Sequence, residues 1–155
     1  MTTTTAAPVT HTLDAPGATI TYDVRENRDA SHRPLLIIGS PMGASGFVTL
    51  AGHFGDRTVV TYDPRGADRS PRTDDASETR VEEHADDLHR LVDALGGGPV
   101  DLFASSGGAV NALAFVARHP EQVATLVAHE PPSAAVLPDR APALAAAQAT
   151  HDTYL

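Results

Sequence analysis

Hydrophobic and polar residues alternate in two short runs near the start of the chain, Val9 to Leu13 and Ala18 to Val24, with Ala15-Pro16-Gly17 between them. A period of two puts one face of each run into a core and the other into solvent, so the pair predicts an antiparallel hairpin. After the polar stretch Glu26 to Ser31 the pattern changes, and Pro34-Leu35-Leu36-Ile37-Ile38-Gly39 is apolar throughout. That is the signature of a parallel strand covered on both faces. Ser45 to Phe54 reads as a short helix, Arg57 to Asp63 as a strand and Pro64 to Asp75 as a loop. Val81, Ala85, Leu88, Leu91, Val92 and Leu95 then recur at helical spacing behind a capping-box pattern formed by Thr79 and Glu82, and Gly96-Gly97-Gly98-Pro99 ends that helix. Next come a strand beginning at Val100, a helix from Gly107 to His119 stopped by Pro120, and a strand from Val123 to Ala128. Past Glu130-Pro131-Pro132 the chain turns to Pro and Ala and one Ala-rich helix, Pro142 to Tyr154, with no further strand. Strands alternating with helices predict an α/β fold: a mostly parallel sheet, flanking helices and an N-terminal antiparallel hairpin.

Composition narrows the function classes. A chain of 155 residues can bury one respectable core but has little room for two. No apolar run approaches the ~18 residues of a membrane span. Residues 1–8 lack the basic start and apolar centre of a signal peptide, so they read as a disordered tail and the location as cytoplasmic. The absence of cysteine excludes disulfides and thiolate chemistry. A net charge of −9 argues against nucleic acid or an anionic membrane as partner, because phosphate binding needs clustered basic residues. The acids Glu78, Glu82, Glu83, Asp86, Asp87 and Asp93 are expected mainly on the solvent side of the long helix. No metal or cofactor motif is present, and His84 and His89 are wrongly spaced to share a helix face.

The chemistry concentrates where the strand Val100-Asp101-Leu102-Phe103 runs into Ala104-Ser105-Ser106-Gly107-Gly108 and a helix follows at once. This is the layout of a nucleophile elbow, a sharp turn that requires nearly side-chain-free residues two before and two after the serine. Ser106 meets that requirement through Ala104 and Gly108, whereas for Ser105 the residue two before is Phe103. Ser106 is therefore the candidate nucleophile, the plainer alternative being a Ser-Gly helix start. The same geometry puts the Gly107 N–H at a helix N-terminus, where a free donor and partial positive charge suit a developing oxyanion.

Three stretches together resemble the α/β hydrolase fold family. Ala104 to Gly108 is similar to GxSxG with Ala in first place, Ile38-Gly39-Ser40-Pro41 to an HGxP loop with Ile for His, and Asp63 to Ser70 to DxRGxGxS with Asp68 for the second Gly. The resemblance covers nearly the whole chain from Val9 and is to the N-terminal portion of such an enzyme. It implies a core over residues 9–132, cut short after the strand that follows the elbow helix, and the start of a cap or lid over 133–155. It also implies the Ser40 N–H as second oxyanion donor, unless Gly39-Ser40-Pro41 is only a turn, and a structural bracing role near the site for Asp63 and Arg65. A serine at the elbow implies an esterase-like reaction on a small ester, lactone or related acyl substrate.

The base is not evident. A serine hydroxyl needs a base to take its proton and an acid to orient that base. Of eight histidines, His11, His32, His53, His84, His89 and His119 read as surface residues, and by resemblance His151 lies on the cap. His129 and Glu130 leave the last strand at the carboxyl edge where catalytic groups collect, but as sequence neighbours they diverge, which favours a rim or substrate-contact role. In the family the acid and the histidine follow later strands, so the chain alone is expected to be weakly active or inactive. The alternative is a non-catalytic binding or assembly module. Its Val123–Ala128 strand would pair, through an exposed edge, with a second copy or with a complementing chain.

Overall fold

A computed structural model describes residues 7–154, so the first six residues of the expected N-terminal tail lie outside the described residues. Among those described, β1 (Val9–Ala15), β2 (Ala18–Arg25), β3 (Leu35–Ile38), β4 (Val59–Tyr62), β5 (Val100–Ser105) and β6 (Val123–His129) form one sheet in the order β1-β2-β4-β3-β5-β6. The hairpin β1–β2 turns at Gly17, whose φ of 75° suits a residue without Cβ, and β2 joins β4 antiparallel. β4, β3, β5 and β6 run parallel.

The uniformly apolar β3 is buried on both faces, as its sequence requires. Leu36 and Ile38 enter one core cluster, and Leu35 and Ile37 the other. Helices α2 (Val81–Ala94) and α3 (Gly107–Arg118) cover the first face, where Leu88, Leu91, Val92, Ala112 and Phe115 join Ile20 and Leu102. The opposite face has thinner cover. A 3-10 turn (Ala44–Phe47) and α1 (Val48–Gly52) place Phe47 and Ala51 on Ile37 and Val59. The expected Ser45–Phe54 helix is thus split in two. α4 (Arg140–Tyr154) is almost wholly exposed and rests on a short turn, Ala134–Val136.

Three expectations need correction. The capping pair of α2 is Arg80 and Glu83 rather than Thr79 and Glu82. The Arg80 N–H donates to Glu83 Oε2 at 2.8 Å, because the Thr79 hydroxyl is already taken as acceptor by Arg72 Nη1 at 2.5 Å. Asp87 is not on the solvent side but fully buried, since it accepts two hydrogen bonds from the buried Arg65. His84, His89 and His119, expected at the surface, are half-buried, and the His84 Nδ1 lies out of water with no partner among the described residues.

Candidate active site

The order of the sheet creates the site. From β3 the chain crosses through α1 to β4 on one side, and from β4 it crosses through α2 to β5 on the other, so a crevice opens between the carboxyl ends of β3 and β5. Ligands of open α/β sheets bind at such switch points. The residues that border this one are Gly39 and Ser40, after β3, and Ser106 and Gly107, after β5.

Ser106 adopts φ 55° and ψ −128°, a conformation L residues occupy only when their surroundings enforce it. The enforcement is visible. Its N–H donates to the His129 carbonyl at the end of β6 (3.0 Å), and its own carbonyl accepts the Ala109 N–H (2.9 Å) as α3 begins. The turn leaves the Ser106 side chain exposed at the mouth of the crevice.

Small residues make this turn possible for the reason expected. A Cβ at Gly108 would stand 2.7 Å from Gly39 Cα, and one at Gly107 would stand 2.7 Å from the Ser40 carbonyl oxygen. The loop after β3 is therefore pressed against the first turn of α3, which brings Ser40 and Gly107 together beside Ser106. The leading N–H groups of that helix lack intrahelical partners and carry partial positive charge.

Asp63 and Arg65 belong to two separate buried networks. Asp63 accepts the Ala44 N–H (2.8 Å), the Arg69 N–H (3.2 Å) and Arg69 Nε (2.6 Å), tying β4's exit to the turn that follows the Gly39–Ser40 loop. Ser70 closes the same segment by donating to the Asp63 carbonyl (2.7 Å) and accepting the Thr21 N–H (2.8 Å). Arg65 grips Asp87 through two 2.7 Å hydrogen bonds and adds Glu83 (3.2 Å) and the Pro16 carbonyl (3.0 Å). Hydrogen bonding to Asp87 outweighs burial and pushes the Arg65 guanidinium further toward its charged form. Beside this network the Tyr62 phenol is buried without a partner, and burial, seconded by Asp87, pushes its pKa up. Asp68 stands at φ 44°, and its carboxylate lies against Gly43 next to that of Asp63.

His129 is close to Ser106 in the chain's geometry but engaged elsewhere. Its Nδ1 lies 3.3 Å from the Ser105 hydroxyl, and its ring stacks on Phe103 at a centroid distance of 6.0 Å. Glu130 departs at φ 50° and, like His129, is exposed. Among the described residues the Ser106 hydroxyl has no side-chain hydrogen-bond partner. His89 and His119 stack on each other at 4.0 Å at the far end of α3, about 20 Å along the helix from Ser106. The Ser105–His129 contact was hidden in the sequence because it depends on the β5–β6 register, which pairs Ser105 with His129.

A sequence profile described as alpha/beta hydrolase fold matches residues 35–151. An uncharacterized hydrolase of Bacillus subtilis (strain 168), YraK, is 43% identical over 121 residues, which are 77% of this chain and 44% of the relative. The chain thus spans less than half the length of that curated relative. Among solved structures, a probable hydrolytic enzyme from Pseudomonas aeruginosa PAO1 superposes with a TM-score of 0.70 at 19% identity, over 81% of this chain and 41% of the other. The thioesterase domain from the curacin biosynthetic pathway superposes with a TM-score of 0.69 at 21% identity, over 82% of this chain and 46% of the other. At these identities the two structures establish a shared fold. No helix among the described residues is long and apolar enough to cross a membrane.

Proposed function

Because this chain belongs to the α/β hydrolase fold family and a curated relative is named an uncharacterized hydrolase, we propose that its site is built for acyl hydrolysis through Ser106, on a small ester, lactone or related acyl substrate. In this reading Ser106 Oγ attacks the carbonyl carbon, and the electron pair displaced onto the carbonyl oxygen is held by the Gly107 and Ser40 N–H groups. Collapse of the tetrahedral species expels the alcohol, which takes up through solvent the proton that Ser106 Oγ gave up, and leaves acyl-Ser106, which water then hydrolyses to the acid and free serine. Asp63 serves by bracing the loop beside the oxyanion donors, and Arg65 by bracing α2. His129 and Glu130 act as rim residues that meet substrate rather than as base and acid. Residues 9–132 are the part of the core present, residues 133–155 the start of a lid, and the location is read as cytoplasmic from the sequence.

The single observation that carries the reading is the backbone of Ser106, φ 55° with the hydroxyl exposed at the switch point. Strain of that kind is kept where it aims a reacting group. With no histidine on Ser106 among the described residues, the chain by itself turns over slowly, since loss of the base removes several powers of ten in rate. Intact mass after incubation with 4-nitrophenyl butyrate tests it. One butyryl group accumulating slowly, and absent from Ser106→Ala, is the expected result; an adduct that survives Ser106→Ala would overturn the assignment.

A second reading, a binding module that assembles through β6, has its own support. Among the described residues β6 pairs with β5 alone, Val123–Ala128 carries no charge, and Val127 is half-exposed on it. An unprotected edge of this kind accepts a further strand from a second copy or a complementing chain. Sedimentation separates the readings: a stable monomer at high concentration removes self-pairing.

A further inference from the structure

A cavity of about 560 Å³ lies on the α1 face of the sheet, away from the Ser106 crevice. β2 builds one wall. Ile20, Tyr22 and Val24 point into the core under α2, so Asp23 and Arg25 point the other way, toward α1. Val48, Ala51 and Val59 supply an apolar wall around Arg25, and Ser45 and Thr61 add hydroxyls.

Among the described residues, Arg25 and Asp68 are the charges lining the cavity that enter no ion pair. The Arg25 Nη1 is shielded from water and has no hydrogen-bond partner among the described residues. The adjacent carboxylate cannot serve it. Asp23 Oδ2 accepts Arg69 Nη2 at 2.8 Å, and its Oδ1 accepts the Thr10 hydroxyl at 2.6 Å. Asp63 is likewise committed, to Arg69 and to the Ala44 N–H. The Nη1 side of the guanidinium faces protein, while Arg25 as a whole is half-buried, so a carboxylate would meet its remaining N–H groups, which have no partner among the described residues and are less hydrated than those of a fully exposed arginine.

The cavity is also polarised. Arg25 sits opposite Val59 in the β2–β4 register, whereas Asp63 and Asp68 close the other end, four residues along the strand or about 13 Å away. We propose that this cavity binds a small monocarboxylate, its carboxylate paired with the planar fork of Arg25 and its short alkyl tail laid on Val48, Ala51 and Val59. The fork matches two carboxylate oxygens at once, which an amide or alcohol cannot reproduce. A second negative charge on the tail would face Asp68, so dicarboxylates are disfavoured. This site is independent of the chemistry assigned to Ser106.

The test uses the full chain labelled with nitrogen-15 and titrated with sodium hexanoate, hexanamide and adipate, each at constant ionic strength. Hexanoate is expected to shift the amides of Val48, Ala51 and Val59, with hexanamide and adipate at least tenfold weaker. Arg25→Gln is expected to weaken hexanoate at least tenfold, Arg25→Lys to restore part of the affinity, and Ser106→Ala to leave it unchanged. Equal binding of hexanoate and hexanamide, shifts confined to Ser106–Gly108, or full affinity in an Arg25→Gln protein with a native spectrum would each overturn the proposal.

Discussion

At the residue scale, the site depends on atoms that are missing. A Cβ at Gly108 would meet Gly39 Cα at 2.7 Å and Gly39 C at 2.8 Å, and backbone atoms cannot rotate aside as a side-chain tip can. Gly108→Ala is therefore expected to destabilise the fold by about 1–3 kcal/mol, read as a lower urea midpoint, while also pushing the Gly39–Ser40 loop off the elbow. The Arg65–Asp87 pair is sensitive in a different way, because both partners are buried. Removing one of them strands a charge, so Asp87→Ala is expected to cost about 3–5 kcal/mol in urea unfolding, against well under 1 kcal/mol for a fully exposed pair. His84 carries the pH dependence. Burial, which outweighs the opposing pull of Asp87, lowers its pKa from 6.5, so the unfolded chain takes up a proton that the folded chain resists. Stability linked to the neutral ring is thus complete above about pH 6.5 and is lost as pH falls below it and through the folded pKa. The urea midpoint should drop between pH 7 and 5.5, and His84→Gln should flatten that drop. The carboxylates held below their usual range, Asp23, Asp56, Asp74 and Glu83, titrate lower still and leave this window to histidine.

At the element scale, stability is unevenly distributed. β3 and β5 lie between two core clusters, and α2 packs along α3, but α4 touches little beyond the Ala134–Val136 turn and is exposed along its length. An isolated helix of this length is marginal in water, so its amides are expected to exchange within seconds while those of β3 and β5 stay protected. Limited proteolysis should accordingly cut between Pro131 and Arg140 first and leave the sheet intact. Protection of α4 comparable to that of α3 would mean that it is docked. The α1 face tells a related story, since only a 3-10 turn and a five-residue helix cover it. That thin cover leaves room for the cavity at Arg25 and leaves Val127 open on β6.

At the scale of the whole molecule, legibility followed the range of the interaction. Period-two and all-apolar runs gave the strands, helical spacing gave α2 and α3, and the small residues around Ser106 gave the elbow, because each is written within a few neighbouring positions. What escaped the sequence is set by residues far apart in it: Asp87 turned inward by Arg65, Thr79 captured by Arg72, and His129 drawn to Ser105 by strand register. The short Ser45–Phe54 helix broke because Phe47 and Ala51 had to reach the sheet, a packing demand without a local signal. The placement of Ser106 on its turn connects these scales, for it needs the glycines, the β3–β5 crevice and the family's sheet order together. The most direct test treats the intact chain with a fluorophosphonate probe and maps the modified residue by peptide mass spectrometry. Slow labelling confined to Ser106, lost in Ser106→Ala and kept in Ser105→Ala, is the expected result; labelling of Ser105 instead would contradict the elbow, and rapid labelling of Ser106 would contradict the absence of a working base beside it.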